Sequence, residues 1–380
     1  MDFHTPVTRN ALSEIRLGFA ANPVVALLGP RQCGKSTLAR EYAKKTQKET
    51  HFFDLEDPRD LEALKNPLLT LDQLDGLIVI DEIQRAPNLF PYLRTLVDKK
   101  KRKIKLLILG SASHELLKQS SESLAGRLST VELTPLLLSE VNDQERLHRR
   151  GGFPLSFLAK SEKISSRWRQ EYVSTFLERD LYEFGFRIAP ATLRRFWMML
   201  THYHGQILNY AELARSFGIS DMTARHYIEI LTQTFMVRLL PPWYENISKR
   251  QVKAPKLYLR DSGILHSLLD IESVEDLRTH PKLGASWEGF ALEQVIAKMG
   301  IRSQDAYFWS THSHAEIDLL TFQGSKRIGY EFKYSDTPKI TASMQIAMED
   351  LKLDRLVIVT PQGRSHKLSA KISSASLQDC

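Results

Sequence analysis

Three short apolar runs in the first third of the chain alternate with helical patterns. The runs cover residues 24–28, 77–80 and 106–109. Uninterrupted apolar runs of this length are typical of strands that are buried on both faces. Helix-like spacing begins near Lys35 and again over 88–98. Strands that alternate with helices predict an α/β fold with a parallel sheet covered on both sides.

The pattern of apolar positions changes after about residue 150 of the sequence. A helical region without comparable apolar runs covers 165–235, and a strand pattern returns at 236–240. The last hundred residues alternate again and predict a helix over 287–299. Strand patterns in this last part cover 307–309, 316–322, 327–334 and 355–359. The length of 380 residues fits such a division, since roughly 150 residues per domain suggest two or three domains.

The composition excludes several classes of protein. Apolar residues make up 42% of the chain and charged residues 26%, which is ordinary globular usage and argues against a disordered or fibrous protein. No stretch approaches the roughly 18 uninterrupted apolar residues of a membrane span, and the first residues lack the layout of a signal peptide. Two cysteines, Cys33 and Cys380, can build neither a disulfide framework nor a four-cysteine zinc site. These features favour a cytoplasmic protein.

A glycine-rich segment connects the first apolar run to the first helical pattern. Residues 29–37 match G-x-x-x-x-G-K-[ST] in full, in the strand-to-helix position that phosphate binding by this motif requires. The glycines allow a tight turn whose N–H groups point at a β-phosphate. We expect Lys35 to reach the β- and γ-phosphates, and the Ser36 hydroxyl to bind Mg²⁺. The predicted nucleotide-binding residues are Gly29, Pro30, Arg31, Gln32, Cys33, Gly34, Lys35, Ser36 and Thr37.

The second apolar run ends in two acidic residues, Asp81 and Glu82. In a sheet that carries the lysine loop, Asp81 would hold Mg²⁺, mostly through water. Glu82 is placed to polarise the attacking water as a general base. The alternative is that both acids only cap the next helix. The lysine loop about 46 residues upstream favours the catalytic interpretation.

Two further residues are candidates for catalysis. Ser111 follows the third apolar run, where its hydroxyl would orient water near the γ-phosphate if the three strands are neighbours. An ordinary strand-end turn explains Ser111 nearly as well. Arg127 is a candidate transition-state arginine that acts in cis or on the site of a neighbouring subunit. Its alternative is a surface or packing role.

These motifs resemble a widespread prokaryotic family of AAA-superfamily ATPases that carry a C-terminal domain of unknown function. The resemblance covers nearly the whole chain and implies ATP and Mg²⁺ as ligands and a homo-oligomer, in some members a ring. Cys33 departs from the family pattern, in which a small aliphatic residue such as valine is more usual. The segments that carry the resemblance are 29–38, 78–87, 109–113, 123–127, 133–140, 177–181 and 260–263.

The middle of the chain has the layout of a helix-turn-helix. Residues 210–220 and 221–234 predict two helices joined at a glycine turn, and 235–242 would supply the strand of a wing. Such modules place the second helix in a DNA major groove. Arg225 is the one permanent cation on the predicted exposed face, which is little for phosphate contacts. Packing against the ATPase or a protein partner is the open alternative.

Basic residues outside this helix form two clusters. The net charge of +7 is spread over the chain and permits a polyanionic partner. Trp243 and Tyr244 lie close to the second cluster, and aromatic rings beside cations suit stacking on unpaired bases, although core packing is the commoner role of tryptophan. The alternative for both clusters is a solvated face. The candidate DNA contacts in these clusters are Lys99, Lys100, Lys101, Arg102 and Lys103, and Lys249, Arg250 and Lys253. Lys256 belongs to the second, looser cluster as well.

The last part of the chain contains a group of acidic residues and a lysine. Glu331 and Lys333 are two apart on a predicted strand, so both side chains point to one face. Together with Glu288 and Asp318 they are similar, in the order Glu, Asp, Glu-x-Lys, to the core of restriction-endonuclease-like nucleases. The resemblance implies that Asp318 and Glu331 bind a metal ion, that Lys333 is the catalytic cation and that Glu288 is a peripheral carboxylate. A salt-bridged surface, or a domain that only binds, is the alternative.

The sequence therefore predicts an α/β protein of three parts. A P-loop NTPase domain with a parallel sheet covers 1–150, a helical and winged helix-turn-helix region 151–275, and a restriction-endonuclease-like α/β domain 276–380. We expect hydrolysis of Mg-ATP coupled to binding, remodelling or translocation of DNA, with metal-dependent cleavage as an open addition. The alternative function is a nucleotide-dependent switch or scaffold that binds a protein partner.

Overall fold

The computed structural model describes residues 7–99, 104–111, 124–183, 188–313, 315–363 and 365–380. The chain divides into two compact units. Unit 1 comprises Met1–Leu136 with Gln233–Phe235, and unit 2 comprises Leu137–Thr232 with Met236–Cys380. Apart from Gln233–Phe235, unit 2 thus spans the predicted middle region and the predicted C-terminal domain. Among the described helices, none is long and apolar enough to cross a membrane.

Unit 1 is built around a five-stranded parallel sheet with strand order β2-β3-β4-β1-β5. All three strands predicted from the apolar runs are confirmed, and they are the central three of the sheet. The sheet therefore has the predicted architecture, with helices joining parallel strands. Its elements are α1 Ala11–Ala21, β1 Val24–Leu28, α2 Lys35–Thr46, β2 Thr50–Asp54, α3 Pro58–Ala63, α4 Pro67–Leu71, β3 Leu77–Asp81, α5 Phe90–Asp98, β4 Lys105–Gly110 and β5 Leu128–Glu132.

The core of unit 1 lies on both faces of this sheet. Successive residues of β1 alternate between two apolar clusters, with Val24 and Ala26 in one and Val25 and Leu27 in the other. All four side chains are fully buried. This two-residue alternation is the geometry of an extended strand, and it explains why β1 is apolar at every position.

The described residues of unit 2 form two sheets. A three-stranded antiparallel sheet has the order β6-β8-β7, and a six-stranded mixed sheet has the order β13-β14-β12-β11-β10-β9. The helices of unit 2 are α6 Leu138–Val141, α7 Gln144–Arg150, α8 Pro154–Phe157, α9 Glu162–Thr175, α10 Leu181–Glu183, α11 Pro190–Leu200, α12 Tyr210–Phe217, α13 Asp221–Gln233, α14 Ser262–Leu268, α15 Val274–Thr279, α16 Leu283–Lys298 and α17 Ala342–Asp350. The strands are β6 Gln206–Ile207, β7 Val237–Leu240, β8 Lys256–Leu259, β9 Tyr307–Ser310, β10 Glu316–Gln323, β11 Lys326–Phe332, β12 Arg355–Thr360, β13 His366–Lys367 and β14 Ile372–Ser376.

The predicted helix-turn-helix is present as α12 and α13. Gly218 ends α12 with a φ of 68°, a left-handed conformation that glycine adopts without steric cost. Ala224, Ile228 and Leu231 of α13 are buried, as their shared helical face predicts. Strand β7 lies within the segment 235–242 that was expected to supply a wing strand, and it pairs antiparallel with β8.

Buried histidines tie three helices of unit 2 together. The Ser286 hydroxyl on α16 lies 3.0 Å from Nε2 of His148 on α7 and 2.7 Å from Nε2 of His266 on α14. His266 also contacts the carbonyl oxygen of Arg149 through Nδ1, at 3.0 Å. Burial lowers the pKa of His266 from the ordinary 6.5 to about 3, and it lowers the pKa of His148 as well. Both rings are therefore neutral in the folded chain near neutral pH.

This burial makes part of the stability of unit 2 depend on pH. Since the pKa of His266 falls to about 3 on folding, the unfolded chain binds the extra proton below about pH 6.5, and the free energy of unfolding falls as the pH drops. We expect the free energy of unfolding of the unmodified chain to decrease between about pH 7 and about pH 5.5. In His266→Gln this decrease should be smaller by about 1 kcal/mol, because the variant lacks the titrating imidazole. Urea unfolding followed by circular dichroism measures the difference. His202→Gln, at an exposed histidine, is the matched control and should leave the pH dependence unchanged. Parallel pH profiles for His266→Gln and the unmodified chain would contradict the prediction.

Candidate active site

Strand β1 leads directly into a tight loop at the carboxyl edge of the unit 1 sheet. A Cβ atom at Gly29 would lie 2.1 Å from the carbonyl oxygen of Leu133, so only glycine fits there. Gly34 has a φ of 103°, which side-chain-bearing residues rarely adopt. Helix α2 begins at the next residue, Lys35. The loop therefore places the unpaired N–H groups of a helix N-terminus at the edge of the sheet, an arrangement suited to an anion.

The Lys35 ammonium is held over this loop by backbone atoms. It donates hydrogen bonds to the carbonyl oxygens of Gly29 and Pro30, both at 3.0 Å. The side chain is buried, at 5% exposure. Both acceptors are neutral, so phosphate oxygens would form stronger, charge-assisted hydrogen bonds with the same ammonium.

Arg9 stabilises the loop through hydrogen bonds to backbone carbonyl groups, a role that was not predicted from the sequence. Its guanidinium donates to the carbonyl oxygens of Cys33, at 3.0 Å, and of Thr134, at 2.6 Å. Arg9 is buried, and it joins the loop to the segment that follows β5. A single arginine before the first helix carries no motif, so the sequence offered no signal for this role.

The remaining residues of the loop differ in accessibility. Gln32 and Thr37 are exposed, and the Arg31 guanidinium forms an ion pair with Glu56 at 3.0 Å. Cys33 is fully buried, and this burial raises the pKa of its thiol. The thiol is therefore kept protonated, and it packs as a small apolar side chain in place of an aliphatic residue.

The Ser36 hydroxyl and the Asp81 carboxylate meet at the ends of neighbouring elements. Ser36 lies in the first turn of α2 and Asp81 is the last residue of β3, and Oγ donates to Oδ2 at 2.5 Å. Burial and the nearby Glu82 raise the pKa of Asp81, while the hydrogen bond from Ser36 opposes this. Hydroxyl and carboxylate oxygens are the ligands that Mg²⁺ prefers, so this pair fits the ion.

Glu82 adopts a left-handed backbone conformation, with a φ of 52°. Such a conformation is strained for a residue with a side chain, and strain of this kind clusters at functional sites. The Ser111 hydroxyl donates to Oε2 of Glu82 at 2.9 Å, and the Gln84 amide donates to the same oxygen. Gln84 also donates to the Ser111 hydroxyl at 2.9 Å. The structure thus brings Ser111 and Glu82 together and adds Gln84, for which the sequence predicted no role.

Arg127 lies at the amino-terminal ends of the parallel strands, whereas the loop lies at their carboxyl-terminal ends. It precedes β5, and its carbonyl oxygen accepts a hydrogen bond from the N–H of Val24, at the beginning of β1. The loop follows β1, so the full length of this strand separates Arg127 from the loop. At 3.3 Å per residue, this length is about 16 Å. Arg127 binds both carboxylate oxygens of Asp98, at 2.6 and 3.0 Å. Within its own chain, Arg127 therefore lies away from the loop, and its role as a transition-state arginine stays a prediction.

Four acidic residues of unit 2, the carboxylate cluster, lie close together. Glu288 comes from α16, Glu316 and Asp318 from β10, and Glu331 from β11. The register of β10 and β11, continued by one residue, sets Asp318 directly opposite Glu331. Lys333 pairs with Glu331, with Nζ 2.7 Å from Oε1. The structure therefore brings together the four residues of the predicted Glu, Asp, Glu-x-Lys group.

A fifth side chain, Lys256 of β8, enters the carboxylate cluster. Its Nζ lies 3.3 Å from Oε1 of Glu288 and 3.3 Å from Oδ1 of Asp318, and it also contacts Glu316. Tyr258, two residues further along β8, donates its hydroxyl to Oε1 of Glu288 at 2.6 Å. The sequence placed Lys256 in the second basic cluster as an exposed cation, because 32 residues separate it from Glu288 and 62 from Asp318; the structure instead buries it among the carboxylates.

Burial governs the protonation of the carboxylate cluster. It raises the pKa of Glu288 to about 7 and that of Glu331 to about 8, and in each case nearby Asp318 adds to the rise. Burial alone would lower the pKa of Lys256, but the surrounding carboxylates raise it well above its ordinary value. Lys256 is therefore a fixed cation. Within the described ranges, no group of three or more His, Cys, Asp and Glu side chains is arranged to hold a metal ion.

The predicted DNA contacts have different surroundings. Lys100, Lys101, Arg102 and Lys103 lie outside the described residues, and Lys99 pairs with Asp72 at 2.6 Å. Lys249 pairs with Asp350 at 2.7 Å, whereas the side chains of Arg250 and Lys253 are exposed. Arg225 on α13 is exposed and stacks on the ring of Tyr210, 3.9 Å from its centroid. Trp243 packs against Tyr307 and Phe322 and therefore has the core role.

Comparison with known proteins assigns a family to each region. Residues 21–142 match the family described as AAA domain, and residues 141–275 and 283–378 match two families described as domains of unknown function, DUF8612 and DUF4143. Uncharacterized proteins of Mycobacterium bovis and Mycobacterium tuberculosis are each 48% identical over 363 residues, which cover 95% of this chain and 81% of theirs. A solved Walker-type ATPase of Pyrococcus abyssi is similar in fold, with a TM-score of 0.50 and 15% identity over 70% of this chain and 99% of that chain.

Proposed function

The chain belongs to the AAA family of P-loop ATPases. We propose that it hydrolyses Mg-ATP at the loop of unit 1 and couples this hydrolysis to the binding, remodelling or translocation of DNA. One observation carries the proposal. The Ser36 hydroxyl, the Asp81 carboxylate and the Lys35 ammonium meet at one edge of the sheet, with Glu82 and Ser111 beside them. Each of these groups has the chemistry that phosphoryl transfer to water requires.

The nucleotide would be held mainly by backbone and by one cation. N–H groups of the loop and of the first turn of α2 face the phosphates, and Lys35 exchanges its two carbonyl acceptors for phosphate oxygens. Ser36 and Asp81 would hold Mg²⁺, which would neutralise charge on the β- and γ-phosphates. Since Asp81 already binds the Ser36 hydroxyl, both ligands are preorganised for the ion.

Glu82 is the residue that we assign to the attacking water. Ser111 and Gln84 both bind Oε2, so we assign Oε1 as the oxygen that faces the water. Water attacks the γ-phosphorus in line, the bond from this phosphorus to the leaving oxygen breaks, and the water proton passes to Glu82. The products are ADP and inorganic phosphate. The hydrogen bonds from Ser111 and Gln84 fix the position of the Glu82 carboxylate, which lies where β3 and β4 end.

Arg127 would serve the site of a neighbouring subunit. Arg127 lies at the amino-terminal ends of the strands, away from the loop of its own chain. In an oligomer, the nucleotide loop of a neighbouring subunit would lie beside this arginine. The arginine would have to leave Asp98, with which it forms an exposed pair. Solvent screens exposed pairs of this kind, so breaking the pair costs little stability.

A depression on unit 2 supports the coupling to DNA. It presents two exposed cations, Arg250 and Lys253, beside the exposed ring of Tyr244. The backbone here is fixed, because the N–H groups of Val252 and His312 pair across to Ser310 and Arg250, at 3.0 and 2.9 Å. Cations beside an aromatic ring suit the phosphates and bases of single-stranded DNA. The lining residues are Tyr244, Arg250, Gln251, Val252, Lys253, Ala254 and His312.

ATP turnover in the presence of DNA tests this coupling. Single-stranded DNA should stimulate turnover, and the stimulation should weaken as salt rises because phosphate contacts release counterions. The double variant Arg250→Glu with Lys253→Glu should lose most of the stimulation and keep the turnover without DNA. The double variant Lys326→Glu with Lys339→Glu reverses two other exposed cations and should behave like the unmodified chain. Equal stimulation of both double variants would contradict this interface.

A protein partner is the second candidate for what the ATPase acts on. The exposed face of α13 carries Asp221 and Glu229 against Arg225, so it offers little net positive charge to phosphates. Met222 on the same face is 78% exposed, which suits an apolar contact. If DNA neither stimulates turnover nor binds in a salt-sensitive way, a nucleotide-dependent switch that acts on a protein is the better account.

Cleavage of nucleic acid by the carboxylate cluster stays a prediction. The grouping of Glu288, Asp318, Glu331 and Lys333 favours it, since these residues lie on adjoining elements in the predicted order. The ammonium of Lys256 among the same carboxylates counts against it, because a metal ion would need those oxygen atoms. The buried ammonium of Lys256 therefore argues against metal-dependent cleavage at this cluster.

A further inference from the structure

The nucleotide loop of unit 1 carries a second cation, Arg31, besides Lys35. The Arg31 side chain is only 13% exposed, and its guanidinium pairs with the Glu56 carboxylate, with Nη2 3.0 Å from Oε1. A guanidinium is permanently charged, and its planar array of N–H groups matches carboxylate and phosphate oxygens equally well. The loop therefore already binds an anion through Arg31, although this anion belongs to the chain itself.

The pair of Arg31 and Glu56 crosses the carboxyl edge of the sheet. Arg31 lies in the loop after β1, and Glu56 lies in the turn between β2 and α3. Strands β4 and β3 separate β1 from β2, so three strand spacings, about 14 Å, lie between the two. The two side chains extend toward each other and meet over the ends of β3 and β4. These ends carry Asp81, Glu82 and Ser111.

Mg-ATP at the loop would bring its γ-phosphate to the same place. Lys35 and the pair of Ser36 and Asp81 would hold the phosphates and the ion between the ends of β1 and β3. Oxygens of the γ-phosphate are charged acceptors and would compete with the Glu56 carboxylate for the Arg31 guanidinium. Glu56 is 40% exposed, so water can solvate its carboxylate once the pair is broken. The exchange would leave a guanidinium on the phosphoryl group that is transferred.

We propose that Arg31 is a catalytic residue of its own chain, which leaves Glu56 to bind the γ-phosphate during hydrolysis. This inference rests on the proposed hydrolysis of Mg-ATP at the loop. The water oxygen bonds to the γ-phosphorus, the bond from this phosphorus to the ADP oxygen breaks, and Glu82 takes the water proton. Arg31 exchanges no proton and stabilises the negative charge on the phosphoryl oxygens. Because Arg127 is assigned to a neighbouring subunit, Arg31 is the guanidinium that each site receives from its own chain.

The variant Arg31→Ala tests the role in the transition state. It should lower kcat by about 100- to 1,000-fold, the usual effect of removing one group that stabilises transition-state charge. Binding of ADP should stay unchanged, because ADP lacks the γ-phosphate. ADP with aluminium fluoride imitates the phosphoryl group during transfer, so the unmodified chain should retain this complex and Arg31→Ala should lose it. Arg59→Ala removes another arginine near Glu56, one that pairs with Asp57 at 2.7 Å, and should keep full turnover.

The variant Glu56→Gln tests the role of the resting partner. Glutamine removes the negative charge that competes with the γ-phosphate, so the KM for ATP should fall by about two- to fivefold, the range of a partly exposed ion pair. A higher KM in Glu56→Gln would show that Glu56 helps to bind the nucleotide and would contradict its assignment as a competitor.

A mixture of Arg31→Ala and Glu82→Gln chains separates action within one chain from action on a neighbour. Each site then lacks one of its own residues, so turnover should stay at the level of the single variants. Restored turnover would overturn the assignment. Full turnover by Arg31→Ala would overturn it too, as would an equal loss of ADP binding, which indicates a structural role. If the unmodified chain hydrolyses no ATP, the proposed function fails together with this inference, whereas an active unmodified chain beside an equally active Arg31→Ala removes this inference alone.

Discussion

Replacement of Glu82 by glutamine should lower ATP turnover by about 100- to 10,000-fold, the usual contribution of a general base. Binding of Mg-ATP should change little. Glutamine is nearly the same size as glutamate, and its carbonyl oxygen still accepts the hydrogen bonds that Ser111 and Gln84 donate to Oε2. The variant therefore keeps the geometry at the ends of β3 and β4 and loses only the ability to take a proton from water.

The two halves of this expectation are measured separately. Phosphate release gives turnover, and equilibrium binding of labelled ATP gives the dissociation constant. Glu41→Gln, on the outer side of helix α2 where Glu41 pairs with Lys45, is the matched control and should keep full turnover. Turnover by Glu82→Gln within a few fold of the unmodified chain would remove Glu82 from the mechanism.

Replacement of Lys35 by alanine should weaken nucleotide binding and turnover together. The ammonium gives charge-assisted hydrogen bonds to phosphate, each of about 1.5–3 kcal/mol, so binding should weaken by about 10- to 100-fold. Turnover should fall further, by about 100-fold or more in total, because the same ammonium stabilises the charge that develops in the transition state. Both variants should therefore lose turnover, but only Lys35→Ala should also bind the nucleotide more weakly.

The Lys35→Ala variant needs a check on folding, because the side chain is buried against the loop. Thermal unfolding followed by circular dichroism supplies this check. Lys44→Ala removes an exposed cation from the same helix and should retain both binding and turnover. A folded Lys35→Ala chain with full turnover would place the nucleotide elsewhere in the molecule.

The central strands of unit 1 could be predicted from the sequence, and its edge strands could not. Strands β1, β3 and β4 are covered on both faces, so each is an apolar run with a clear signal. Strands β2 and β5 lie at the two edges of the sheet and are largely polar, with Phe52 of β2 exposed. Edge strands lack the apolar periodicity on which the prediction rests.

The position of Arg127 in the fold could not be predicted for the same reason. Strand β5 begins at the next residue, Leu128, and it lacks the apolar run that would have predicted it. All five strands of the sheet are parallel, so a residue before a strand lies at the edge away from the loop. Without a prediction of β5, the sequence left both modes of action of Arg127 open.

The local motifs of the nucleotide site could be predicted, whereas the residues that support them could not. The lysine loop and the acid pair are each contiguous in sequence, and the structure brings them together as expected. Arg9 reaches the loop from 24 residues away, and Lys256 reaches Asp318 from 62 residues away. Neither belongs to a motif, so only the folded chain reveals these contacts.

A single-turnover experiment tests the central claim most directly. The full chain in excess over labelled ATP, with Mg²⁺, should retain the nucleotide and convert it to ADP and phosphate, and removal of Mg²⁺ should stop the conversion. Glu82→Gln should retain ATP without converting it. Failure of the unmodified chain to retain ATP, or retained ATP that stays intact, would contradict the assignment of this pocket as the site of hydrolysis.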